Sequence, residues 1–542
     1  MPTSNFFNPK ISTRRDFIKT GSILSIGYAI SSYAGVEADS NKKNNYDYII
    51  IGAGSSGCVI ANKLTEDPSV KVLLLEAGAR DTKPEIHQPG QWLSLKGTEV
   101  DWQYATQEEP FLNNRKIDWP RGKVLGGSSA INAMIYLRGH FSDYDRWAAL
   151  GNKGWTHKEV FPYFTQLENY PYTNSNSYGK DGPLHISRKT CPEGPCTPFV
   201  QAAMELGYNG PNWDLNGLQQ ENGAGLCPLT VKDGKRQSAA TAFLKPVVSR
   251  PNLVIITSAQ VTRLLFSRKR VTGVEYLLDG KLSEVNTQRE VIICTGAVDT
   301  PKLLMLSGIG PVDHLRSLRI KVKVDLPGVG QNLQDHVQSS ISYRSKLAQV
   351  NNTDPEWSGL FVYTSKAPRH LAPDLQFLFH QWPGSNNTSS FMFIPIVAKP
   401  KSRGAISLQS TNPLQPPLIR ANYLQNEEDL RTLIEGYKLT TELAGTLAFL
   451  RLRSDSGPEL KSEQQMIERI RSTASTMFHP VGTCKMGIDE MSVVEPDLRV
   501  YGVDGLRIAD ASIMPEIVNT NTNATCIMIG AYGADKIRNT KS

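Results

Sequence analysis

The stretch TMFHPVGTCKMG, Thr476 to Gly487, holds a single histidine, His479, between a phenylalanine and a proline. An imidazole with a pKa of about 6.5 is mostly neutral at pH 7, so one fixed in a rigid loop can take a proton from a bound hydroxyl. A buried histidine satisfied by protein partners would show the same local sequence. A second set of chemically capable residues stands near the N-terminus. Gly52, Gly54 and Gly57 form G-x-G-x-x-G around Ser55 and Ser56, and an acid, Glu76, follows nineteen residues after Gly57. In such a motif the first glycine permits a tight turn, the second lets the backbone approach a pyrophosphate, and the third lets a helix pack close on a strand. Glu76 stands where a carboxylate accepts hydrogen bonds from a ribose diol.

The flanking sequence supplies the elements that must hold these residues. Tyr48 to Ile51 is a β-branched run suited to a buried parallel strand, SSGCVIANKLTED has helical periodicity, and VKVLLLE is a second buried strand ending at Glu76. Together they predict an ADP-binding βαβ unit whose helix N-terminus offers unpaired N–H groups to phosphates. Such a unit serves NAD and FAD alike, because both present ADP.

With 542 residues, 39% of them hydrophobic, the chain can bury a large core and is long enough for two domains. A formal net charge of +7 with no dense Lys/Arg stripe argues against a nucleic-acid partner. No stretch offers the roughly 18 charge-free apolar residues of a transmembrane anchor. Residues 1–38 read as an export signal. Arg14 and Arg15 precede Phe17 and Ile18, the mildly apolar GSILSIGYAISSYAG follows, and VEA before Asp39 places small residues at a cleavage site. This resembles a bacterial twin-arginine signal and predicts a periplasmic protein, exported folded with its cofactor loaded. Of seven cysteines, Cys191 and Cys196 bracket PEGP and are free to pair in an oxidising periplasm. No second Cys or His pair has metal-ligand spacing, so no metal site is predicted.

Four further segments carry a resemblance: WPRGKVLGGSSAINAMIYLRG from Trp119, TGAVDTPKLLMLSGIGP from Thr295, FHPVGTCKMG from Phe478, and NTNTNATCIMIGAYGAD from Asn519. With the N-terminal unit they resemble the glucose–methanol–choline (GMC) family of FAD-dependent oxidoreductases, from about Tyr46 to the C-terminus. The branch they most resemble is that of the bacterial choline-dehydrogenase-like alcohol dehydrogenases. The resemblance implies that Gly52, Gly54, Gly57 and Glu76 hold the ADP half of FAD, with Ser55 and Ser56 beside them. It implies that Gly126, Gly127, Ser129 and Asn132 lie along the flavin, Val261 at the adenine, and Asp510 and Ala511 beside the pyrophosphate and ribityl chain. His479 matches the catalytic histidine and Asn523 its partner. Some members attach flavin covalently through a histidine where this chain has Ile131, so the FAD is expected to be non-covalent.

The fold so implied is α/β, with an α+β cap. A Rossmann-like FAD-binding domain is built from 45–162, 226–330 and 472–540, and a substrate-binding domain with an antiparallel sheet from 163–225 and 331–471. Within the latter, PDLQFLFHQW and RGAISLQS alternate as strands of a sheet with one face covered, and NEEDLRTLIEGYKLTTELAG has helical period with an acidic first turn. The implied reaction is oxidation of a small-molecule alcohol. His479 takes the hydroxyl proton, flavin N5 takes hydride, and a quinone, cytochrome or other acceptor takes the electrons. A helix beginning near Asn523 would favour negative charge on reduced flavin. The same fold also serves oxygen-using alcohol oxidases and non-redox hydroxynitrile lyases.

Overall fold

The isoleucine and leucine runs that read as buried strands lie side by side in a seven-stranded sheet. In a computed structural model that describes residues 46–172, 177–188, 197–211, 213–347, 355–383, 389–458 and 460–540, this sheet supports the GAGSSG turn. The arginine pair of the export signal and Cys191 and Cys196 lie outside the described residues. The strands are Tyr46–Ile51 (β1), Val72–Leu75 (β2), Leu253–Ile256 (β3), Ala259–Ser267 (β4), Arg270–Leu278 (β5), Lys281–Ile293 (β6) and Leu506–Ile508 (β7). β3, β2, β1 and the far half of β6 run parallel in that order, with β7 parallel to β6 beyond them. The near half of β6 instead pairs antiparallel with β5, and β5 with β4. Ile49 to Ile51 and Val72 to Leu75 are buried throughout, as strands covered on both faces must be. Helix α1 (Ser55–Leu64) leaves the β1 turn and packs against the C-terminal helix α3 (Asn523–Arg538), while α2 (Gly296–Leu306) follows β6.

A second seven-stranded sheet is antiparallel. Its path runs Ser475–Thr476, Val337–Gln338, Ser389–Val397, Leu375–Pro383, Ser358–Val362, Ala224–Leu226, with Ile341–Ser345 also paired to Ser389–Val397. The helix Glu427–Ala444 covers one face: Asn426 caps its N-terminus, its first turn is acidic, and Leu433, Ile434 and Tyr437 join Phe377, Phe379 and Phe393 in one apolar cluster. The alternation in PDLQFLFHQW does not mark a solvent face. Residues Leu375 to Gln381 are all buried, because Leu378 on the opposite side belongs to a second apolar cluster with Trp92, Met134 and Trp357. RGAISLQS contributes Ala405–Ser407 to a separate ribbon with Leu418–Arg420 and not to this sheet. The edge strand Ser475–Thr476 comes from the 472–540 segment assigned to the cofactor half, so the loop of His479 starts from the antiparallel sheet.

Candidate active site

Thr476 and Ser475 pair with Val337 and Gln338, and this two-residue ladder sets His336 beside the His479 loop, with Met477 N–H donating to the His336 carbonyl at 2.9 Å. The buried Asp335 carboxylate gathers the loop. It accepts from the His479 backbone N–H at 2.8 Å and from the hydroxyls of Thr476 and Tyr423. Burial pushes the Asp335 carboxyl up to about 6, against those donors and nearby Arg121. Phe478 takes φ of 66°, a left-handed conformation that is uncommon and strained for a bulky residue. It is held there by its N–H on Thr476 Oγ1 at 2.6 Å and by Arg121 donating to its carbonyl at 2.6 Å.

The hydrogen bonds of the two imidazoles fix where the protons are. His336 Nε2 lies 3.0 Å from the Ala398 carbonyl, which can only accept, so Nε2 carries the hydrogen. Burial pushes the His336 pKa down to about 3, so the ring is neutral and its Nδ1 is a bare acceptor. His479 Nδ1, 2.9 Å away, must therefore donate to it. Burial first, then His336 and Arg121, hold His479 well below the usual imidazole pKa, so it too is neutral. Its Nε2 carries no proton and faces the cleft, where it accepts from the Asn521 side-chain amide at 3.2 Å. Gln376 donates to Asn521 Oδ1 at 3.4 Å and so turns that amide's N–H₂ toward His479.

Asn521, not Asn523, is thus the partner of His479. Asn523 is the first residue of α3, and its Oδ1 accepts from Ser55 Oγ at 2.6 Å. Of the residues predicted for the site, Gly52, Gly54, Ser55, Ser56, Glu76, Gly127, Asn132, Val261, Asp510, Ala511, His479 and Asn523 line one continuous cleft between the two sheets. Gly57, Gly126 and Ser129 stand behind its wall. A Cβ on Gly57 would sit 2.0 Å from the Gly52 carbonyl oxygen, so this glycine lets α1 pack on its strand. Gly126 N–H donates to Ala53 O, and Ser129 Oγ turns inward to Gly126 O at 2.6 Å. His336, Asn521, Arg121, Trp92 and Lys96 were not singled out from sequence. Only the NTN run at the start of the last helix offered a signal, and it offered two asparagines.

The donor set fits FAD. Gly54 caps α1 without a side-chain bond, so the first N–H groups of that helix face the cleft, and a Cβ at Gly54 would meet only Cys294 O at 3.9 Å. Glu76 is buried, accepts from Ala53 and Gly78 N–H groups at 2.8 Å each, and among the described residues forms no salt bridge; burial pushes its carboxyl up to about 7, against those donors and the charge of Lys123. A ribose diol would supply the missing donors. Asp510 Oδ2 accepts from Gly296 N–H and Thr300, which orders the turn into α2 at the same end.

Comparison with known proteins agrees. The GMC oxidoreductase family matches residues 46–338 through its N-terminal part and 400–530 through its C-terminal part. The chain is 42% identical over 530 residues to an alcohol dehydrogenase [acceptor] of Pseudomonas putida, covering 91% of this chain and 95% of that one. It is 39% identical over 526 residues to an oxygen-dependent choline dehydrogenase of Sinorhizobium fredii, covering 91% and 95%. The crystal structure of a pyridoxine 4-oxidase from Mesorbium loti superimposes with a TM-score of 0.86 at 30% identity, covering 92% of this chain and 100% of that one. The chain belongs to the GMC oxidoreductase family and is an oxidoreductase whose cofactor is FAD.

Proposed function

We propose that the protein oxidises an alcohol to an aldehyde or ketone, with His479 Nε2 accepting the hydroxyl proton and Asn521 holding the same oxygen. The observation that carries this reading is the unprotonated Nε2 of His479, fixed from behind by His336, turned to the cleft and met there by the Asn521 amide. FAD, when bound, supplies the acceptor for the hydride that leaves the carbinol carbon. A neutral imidazole needs no prior deprotonation to act as a base, and a positioned general base typically gives about 10²–10⁴ in rate. Asn521 Nδ2 orients the hydroxyl without titrating. The N-terminus of α3 has no side-chain cap, and Thr522 and Asn523 line the cleft, so its N–H groups and dipole favour negative charge there.

FAD is held non-covalently: Ile131 lines the cleft, and among the described lining residues the one histidine is His479. Burial keeps the lining thiols protonated, Cys526 at about 12, so neither it nor Cys294 is a ready thiolate. Export by the twin-arginine route would place the enzyme in the periplasm, with a quinone or cytochrome taking the electrons; the name of the Pseudomonas putida relative includes an acceptor without saying which. The test is anaerobic titration of the purified yellow protein with aliphatic, aromatic, sugar, polyol and amino alcohols. Bleaching of the flavin by at least one of them is expected. Flavin that stays oxidised with all of them overturns the reading and favours a non-redox lyase.

A further inference from the structure

The end of the cleft at His479 is walled by side chains of one apolar cluster. Trp92, Met134, Ile135, Trp357 and Leu378 are those of its buried members that line the cleft, and Met477, two residues before His479, packs against the cluster. Into this wall projects one ammonium group. Lys96 Nζ lies 4.1 Å from the ring centroid of Phe478 and 5.2 Å from that of Trp92. It is mostly buried, and burial lowers its pKa to about 8. Arg121 adds a second, half-buried cation to the same wall.

Among the described residues no carboxylate lining the cleft pairs with either cation; Asp101 and Asp118 act on Lys96, and Asp335 and Asp101 on Arg121, from outside the lining. Among the described lining residues the acids are Glu76, Asp299 and Asp510. Glu76 is held by two backbone N–H groups, Asp299 by Tyr104 and Lys302, and Asp510 by Gly296 and Thr300. Asp335 lies behind the His479 loop and spends its oxygens on Thr476, Tyr423 and the His479 backbone. Aromatic walls attract a quaternary ammonium through their ring faces. Here Lys96 already occupies the faces of Phe478 and Trp92, and a second cation brought there would meet a like charge in a poorly solvated pocket.

We propose that the His479 end of the cleft admits uncharged apolar alcohols and turns away alcohols bearing a quaternary ammonium, with Lys96 as the specificity-determining residue. This rests on the alcohol-oxidising reading above and narrows its substrate class against the choline dehydrogenases to which the chain is similar. The physical basis is charge alone, so the test needs two alcohols of one shape. Choline and 3,3-dimethyl-1-butanol differ only in nitrogen against carbon.

The experiment is anaerobic stopped-flow reduction of the holoenzyme at pH 7 by each alcohol over a range of concentrations, for wild type, Lys96→Met and Lys96→Gln. Wild type is expected to bind the neutral isostere about tenfold to a hundredfold more tightly, as like charges a few ångströms apart at intermediate dielectric would require. Both variants should close most of that gap, through the half-saturation concentration and not the limiting rate. A wild-type enzyme that binds choline as well as its isostere overturns the proposal. So does a gap unchanged in a folded, flavinated variant. Reduction by neither of these alcohols nor by benzyl alcohol or 1-octanol removes the alcohol reading itself, and this proposal with it.

Discussion

Asn521 and Asn523, two positions apart at the start of α3, take different partners, and that difference is testable. Asn521→Ala removes a neutral hydrogen bond to the substrate oxygen, worth about 0.5–1.5 kcal/mol, so flavin reduction should slow by roughly threefold to tenfold with FAD retained. Asn523→Ala frees Ser55 beside the glycine turn and should act on FAD retention, leaving the reduction rate within a small factor; stopped-flow reduction and flavin release by ultrafiltration separate the two. Glu76→Ala should weaken FAD binding by about 1.5–3 kcal/mol, the range for a hydrogen bond to a charged group. Because Glu76 titrates at about 7 when no diol faces it, and a diol donates to its ionised form, FAD should bind apoprotein more tightly as pH rises through 7. Flavin fluorescence titrations between pH 5.5 and 8.5 check that sign. Lys96 is faced by Arg121, which lowers its pKa, and by Asp101 and Asp118, which raise it, with burial dominant. Its cation is full below about 8 and lost above, so discrimination against choline should fade between pH 7 and 9. Sequence showed Glu76 and His479 because each sits in a dense local pattern. It left His336 unmarked in NLQDHVQ, since nothing in that run says which imidazole lies opposite.

At the scale of elements, the βαβ unit was legible because its periods are long and uniform: four buried residues in β1, seven in α1, four in β2. The third glycine shows the constraint most sharply. Gly57→Ala would place a methyl 2.0 Å from the Gly52 carbonyl oxygen, so α1 must move off the sheet. We expect a loss of about 1–3 kcal/mol of stability, typical of overpacking, together with FAD release. Thermal melts of holo- and apoprotein measure both. What escaped the sequence was short or two-sided. Ser475–Thr476 is a two-residue edge strand, too brief to carry a period, yet it decides which histidines meet. Leu375–Pro383 reads as amphipathic, but its second face meets the cleft-lining cluster around Leu378 and not water.

For the whole molecule, the parallel sheet brings a glycine turn, an uncapped helix N-terminus and an acid to one end of a cleft, and the antiparallel sheet delivers a neutral, tautomer-fixed imidazole to the other. Family and cofactor were readable from motifs distributed along the chain; the cleft's cationic wall was not, because Lys96 and Phe478 meet only when both sheets are in place. The proposed twin-arginine export is tested on the entire chain. Replacing Arg14 and Arg15 by lysine should leave the protein in the cytoplasm, as cell fractionation and immunoblotting would show. The most direct test of the chemistry is anaerobic stopped-flow flavin reduction by the best alcohol, comparing wild type with His479→Ala. The variant should be folded and fully flavinated, with a limiting reduction rate lower by about 10²–10⁴ and partly restored at high pH, where more of the alcohol is ionised. A His479→Ala enzyme that is folded, fully flavinated and within a factor of a few of wild type would contradict the assignment of His479 as the base.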